Sequence, residues 1–142
     1  MNHDDYPDSY LAEILQKTKV IALVGASPNP ERPSYRVMGF LLRKGYRVIP
    51  VNPGQAGKEI QGQKVYAHLA DIPEPIDMVD VFRAPHALPG LVDEVLLLDP
   101  RPKVIWGQLS VRHDQAASRA EDAGIRVVMD RCPAIEYPRL VG

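Results

Sequence analysis

The run Val20-Ile21-Ala22-Leu23-Val24, followed at once by Gly25, constrains the fold more than any other stretch of the chain. A short apolar run rich in β-branched residues, with no polar alternation, is the pattern of a strand buried on both faces in a parallel sheet. Gly25 ends the run. Ser34 can then cap a helix whose apolar Val37, Phe40 and Leu41 fall at helical spacing, and Gly45 stands where a left-handed helix terminator belongs. The pattern is strand, tight loop, helix. At such a junction the first N–H groups of the helix and the positive end of its dipole point outward, and an anionic group, most often phosphate, is attracted there.

The rest of the chain repeats the alternation. Strands are predicted at Arg47 to Val51, Asp77 to Phe82, Lys103 to Trp106 and Ile125 to Met129, with a short one at Val65-Tyr66. Helices are predicted from Tyr10 through Leu15, with Asp8 or Ser9 as cap, behind the third main strand through Leu88, Leu91, Val92 and Val95, and from Ser110 to Ala123 before Gly124. Met1 to Asp8 is polar and expected to be frayed, Gln55 to Lys64 to be loop, and the tail from Asp130, with Pro133 and Pro138, to wrap the sheet edge. Repeated βαβ units imply a Rossmann-type, doubly wound, mostly parallel sheet with helices on both faces, as a single domain over residues 1–142. Ligands of such sheets bind beyond the carboxyl ends of the strands, near the switch in strand order. That selects Gly25 to Pro33, Asn52 to Lys58, Phe82 to Pro85 and Gly107 to Ser110.

Composition excludes several classes. A net charge of −1 lacks the basic surplus of a nucleic-acid or anionic-membrane binder, and no apolar run nears the roughly 20 residues that span a bilayer. The single cysteine, Cys132, has no disulfide partner in the chain, and no charged-then-apolar leader opens it, so the cytoplasm is the expected compartment. His3, His68, His86 and His113 show no metal-ligand spacing. Ser27, Asp80 and His113 follow in hydrolase order, but the nucleophile elbow needs glycine where Asn29 stands.

The first loop, Gly-Ala-Ser-Pro-Asn-Pro, breaks the dinucleotide fingerprint: Ser27 replaces the glycine that lets a pyrophosphate approach, and Pro30 the one that packs helix on strand. No acid follows Val51 before Glu59 to accept from ribose hydroxyls, which disfavours NAD. Arg32 and Arg36 near the helix start, Lys58 after the second strand and Arg83 after the third instead suit a ligand with several phosphates.

Five segments carry a resemblance: Val24 to Pro30 with Arg32-Pro33-Ser34-Tyr35, Val48 to Pro53, Ala56 to Ile60, Val79 to Arg83, and Val127 to Cys132. In order and combination the chain resembles the small stand-alone CoA-binding proteins that are similar to the amino-terminal domain of the succinyl-CoA synthetase alpha subunit. The resemblance implies a Rossmann-type fold that binds coenzyme A or an acyl-CoA. The phosphates would meet Gly25, Ala26 and Ser27, the adenosine would lie by Asn52 and Pro53, the arm would run along Phe82 to Pro85, and Gln108 would lie in the region used near the thiol. Where the synthetase has a lysine after this Pro-Gly turn the chain has Gln55, with Lys58 three residues on, and the synthetase's phosphohistidine domain has no counterpart here. The expected site comprises Gly25, Ala26, Ser27, Pro28, Arg32, Ser34, Tyr35, Asn52, Pro53, Lys58, Phe82 and Arg83, with no catalytic residue. The expected role is a binding or regulatory module, with an acyl-transferring protein as a possible partner; the alternative is an NAD(P)-binding oxidoreductase or redox sensor.

Overall fold

The computed structural model describes residues 1–142. In chain order its elements are α1 (Asp8–Lys17), β1 (Val20–Val24), α2 (Pro33–Arg43), β2 (Arg47–Val51), β3 (Glu59–Ile60), β4 (Gln63–Lys64), β5 (Met78–Val81), α3 (Leu88–Leu96), β6 (Val104–Gly107), α4 (Asp114–Asp122), β7 (Arg126–Val128) and α5 (Pro133–Leu140). Five parallel strands form one sheet in the order β2-β1-β5-β6-β7. From β1 the chain winds outward to β2, then returns to the other side of β1 and winds through β5, β6 and β7. The switch in strand order therefore falls between β1 and β5.

Alternation along each strand divides the interior in two. Val79 and Val81 of β5 and Ile105 of β6 face a layer built by α3 and α4, with Leu88, Leu91, Val92 and Val95 meeting Ala116, Ala117 and Ala120. Met78 of β5 and Trp106 of β6 face the opposite layer, where Leu11, Ile14 and Leu15 of α1 and Val37, Met38 and Leu41 of α2 cover the sheet. Trp106 is fully buried and its indole N–H donates to the Arg131 carbonyl at 3.0 Å, so it belongs to the core. The alanine-rich face of α4 permits close packing against α3, while the larger side chains of α1 and α2 fill the wider space on the other side.

Six local expectations change. Ser34 is not the cap of α2: Arg32 holds the extended N-cap position and Pro33 takes the first helical turn, where its missing N–H costs nothing. Likewise Pro7, not Asp8 or Ser9, precedes α1. The stretch Gln55 to Lys64, expected as loop, contains the antiparallel β3-β4 hairpin, turned by Gln61 and Gly62 at positive φ. The helix expected from Ser110 starts at Asp114, because Ser110 adopts φ +74° in a turn and His113 caps α4 by accepting from the Ala116 N–H at 3.1 Å. The tail from Asp130 is the helix α5, packed on α1 and α2, with Pro133 at its start and Pro138 in its last turns. Met1 to Asp8, expected to be frayed, is anchored: the buried Tyr6 hydroxyl accepts from the Met129 N–H at 2.8 Å, and His3 bridges Tyr6 and Glu121.

Candidate functional site

A cleft of about 580 Å³ runs along the carboxyl edge of the sheet across the switch point. β1 delivers Gly25 there and β5 delivers Phe82, and the two backbones touch: the Phe82 N–H donates to the Val24 carbonyl at 2.8 Å. Gly25 sits at φ +88°, and a Cβ at that position would collide with the Phe82 carbonyl oxygen. Glycine is required twice over, by its backbone conformation and by the close approach of the neighbouring strand.

The loop between β1 and α2 holds its own shape. Ser27 Oγ accepts from the Asn29 N–H at 3.1 Å, Asn29 Oδ1 accepts from the Glu31 N–H at 3.0 Å, and the Arg32 N–H donates to the Asn29 carbonyl at 3.0 Å. These turns leave the N–H groups of Ser27 and Ser34 without a partner in the chain, and both residues line the cleft. Pro33 has no N–H, so Ser34 supplies the first free donor of α2, on the axis of the helix dipole. Arg32 and Arg83 are the charged residues of the lining; neither joins the ion pairs that occupy Arg47, Arg112, Arg119, Arg126 and Arg139, and no carboxylate accompanies them. Free backbone donors, a helix terminus and two unpaired guanidinium groups give this end of the cleft a chemistry suited to a polyanion.

Asn52 ties the second strand to the loop. Its Nδ2 donates to the Ala26 carbonyl at 2.7 Å and its Oδ1 accepts from the Gly54 N–H at 2.9 Å. The other end of the cleft is less polar, with Leu109 and Val111 beyond Ala84. Gln108 is buried there with its Oε1 unpartnered.

Of the twelve expected site residues, Gly25, Ala26, Ser27, Arg32, Ser34, Asn52, Phe82 and Arg83 line this cleft, and Pro28, Tyr35, Pro53 and Lys58 do not. Tyr35 packs against the α1 and α2 layer, while its carbonyl accepts from Gln61 Nε2 at 2.9 Å. Lys58 is exposed and its backbone is spent on the turn into the β3-β4 hairpin, bonding Gln55 and Val65. Pro33, Ala84, Gln108 and Leu109 complete the lining from within the loops selected by strand-end position. Val111 falls outside those loops; its apolar character between Ser110 and Arg112 was the available signal.

The serine, aspartate and histidine in hydrolase order do not assemble. Ser27 Oγ serves the loop turn, His113 Nδ1 caps α4, and the Asp80 carboxyl bonds to no side chain. Burial pushes the Asp80 carboxyl well above the usual carboxylate range; the neighbouring Val81 N–H acts in the opposite direction but makes no well-formed hydrogen bond to it. No group of three or more His, Cys, Asp or Glu side chains is arranged to hold a metal ion.

The chain is 39% identical over 127 residues to the uncharacterized Bacillus subtilis protein YneT, covering 89% of this chain and 91% of that one. It is 33% identical over 86 residues to the alpha subunit of an ADP-forming acetate–CoA ligase of Pyrococcus furiosus, covering 58% of this chain and 19% of the subunit. A solved structure from Thermus thermophilus superposes with a TM-score of 0.89 at 42% identity, covering 95% of this chain and 99% of that one. The model of the CoA binding domain matches residues 19–138, a span that holds every strand of the sheet and the whole cleft, and the chain belongs to that family.

Proposed function

We propose that this protein binds coenzyme A or an acyl-CoA in the cleft at the β1-β5 switch point, as a binding or regulatory module without catalytic residues of its own. The observation that carries the reading is the pairing of the free Ser27 and Ser34 N–H groups with the unpaired Arg32 and Arg83, in a lining that holds no carboxylate. The phosphates lie over the start of α2, the adenosine lies toward Asn52, and the arm runs past Phe82 and Ala84. Membership in a family described by CoA binding supports the ligand class. The missing acid after Val51 argues against NAD on the same fold. An acyl-transferring protein is the partner class that fits this role, and the cytoplasm the compartment.

Calorimetric titration with coenzyme A, dephospho-CoA and NAD tests the proposal. The expected result is saturable CoA binding, weaker when the 3′-phosphate is absent, and no saturation with NAD. Arg83→Ala is expected to lower CoA affinity about tenfold, the scale of one charge-assisted contact, without changing the melting temperature. Saturable NAD binding with none for CoA would overturn the proposal.

A further inference from the structure

Two polar side chains of the interior lack partners, and both belong to the same face of the sheet. Asp80 is fully buried in the centre of β5, and neither carboxyl oxygen accepts a hydrogen bond. In register it lies between Leu23 of β1 and Trp106 of β6. Alternation along β5 turns Met78, Asp80 and Phe82 to the α1 and α2 side, where Met78 and Phe82 are found. Along β6 the same rule turns Trp106 and Gln108 to that side; Trp106 packs there, and the intervening Gly107 faces Val111 in the other layer. The ladder continues through this point, since the Gln108 N–H donates to the Val81 carbonyl at 3.1 Å. Gln108 is thus the diagonal neighbour of Asp80 across two adjacent strands, a separation that a long side chain can span.

The chemistry of the orphaned atoms is complementary only in one protonation state. Asp80 Oδ1, Asp80 Oδ2 and Gln108 Oε1 are all acceptors if the acid is ionised, and leaving them together without a donor is costly. A protonated carboxyl supplies the missing donor, and burial without a cationic neighbour favours that form. We propose that Asp80 is a positioning residue that donates to Gln108 Oε1, directly or across one water molecule, and so presents Gln108 Nε2 to the cleft as a donor for a carbonyl oxygen on the amide-bearing arm of the ligand. This rests on the CoA reading of the same cleft, and it assigns its inner end: the α2 terminus and the arginines select the phosphates, and the Asp80–Gln108 pair selects the arm.

The test compares coenzyme A with adenosine 3′,5′-bisphosphate, which keeps the nucleotide end and lacks the arm. Gln108→Leu and Asp80→Leu are each expected to weaken CoA about tenfold, the scale of one hydrogen bond made or lost in a buried site, and to leave the bisphosphate unchanged. Asp80→Asn keeps an N–H donor and is expected to bind CoA within about twofold of wild type. The Asp80→Leu/Gln108→Leu double variant is expected to bind no worse than Gln108→Leu alone, because the two residues act in series. Wild-type CoA affinity in either leucine variant, equal loss for both ligands, or losses that multiply in the double variant would overturn the pairing. Should Asp80→Leu not fold, the infrared carbonyl band of a protonated acid decides: its presence in wild type and absence in Asp80→Asn is expected, and its absence from wild type overturns the pairing. Failure of the wild type to bind CoA would instead overturn the reading of the cleft itself.

Discussion

Asp80 is the residue at which this fold departs furthest from what a buried strand ordinarily carries. The flanking Val79 and Val81 make the segment legible as an interior strand, and the same apolar context raises the carboxyl's proton affinity. The sign of the consequence follows from linkage. A carboxyl whose folded pKa lies above its unfolded value of about 4 contributes most to stability below that pH, and the contribution is lost as pH rises toward the folded value. Asp80→Asn removes the titration, so its melting temperature is expected to gain on wild type steadily from about pH 4 upward, with little change in their difference below. Parallel melting curves across that range would show that Asp80 is ionised in the folded protein. At the same scale, the glycine and arginine contributions to the cleft were legible because strand-end position alone selects them. Gln108 was marked by its loop and by the resemblance, but its orphaned acceptor was not, because no pattern in the sequence reveals that a side-chain oxygen is left without a partner. Lys58 lies outside the cleft lining for the converse reason: a cation after β2 is near the ligand edge in sequence, but it stands on the turn into the β3-β4 hairpin.

The element that does most for the site is the β1-loop-α2 unit, and its geometry depends on two glycines in different ways. Gly25 and Gly45 both adopt positive φ, +88° and +94°, but a Cβ at Gly45 would meet nothing within 4 Å, whereas one at Gly25 would strike the Phe82 carbonyl. Gly45→Ala is therefore expected to cost about 1 kcal/mol from backbone strain, and Gly25→Ala about 2 kcal/mol or more, because β5 must also move. Denaturant midpoints check this, and equal costs would contradict the close approach of the two strands. Most elements were legible from periodicity: β1, β2, β5 and β6, and the helices α2 and α3, fall where their apolar patterns place them. The misses share a cause. The tail with its two prolines is expected to wrap the sheet edge, yet Pro133 occupies the first turn of α5, where it is tolerated, and Tyr137 anchors that helix edge-on against Phe40 and Tyr46. In the first eight residues polarity masked one aromatic: Tyr6 stacks on Tyr10 and is covered by the Arg131 guanidinium. These are tertiary contacts, and local pattern does not encode them.

For the whole molecule, the net charge of −1 hides an uneven distribution. Arg47, Arg112, Arg119, Arg126 and Arg139 are paired with carboxylates around the surface, while Arg32 and Arg83 stand unpaired together over the switch point. No helix is long and apolar enough to cross a membrane. The location of the cleft was legible from topology, since the alternation of strands and helices dictates where a doubly wound sheet leaves a crevice. Its chemistry depends on which loop donors stay free, and that emerges only once Ser27, Asn29 and Arg32 have closed their turns. The most direct measurement is an amide chemical-shift titration of the isotopically labelled protein with coenzyme A. The account predicts saturable shifts concentrated at Gly25 to Ser27, Ser34, Arg83, Ala84 and Gln108. Shifts gathered instead around Lys17, Lys103 and Arg126, at the opposite edge of the sheet, or no saturable shifts at all, would contradict it.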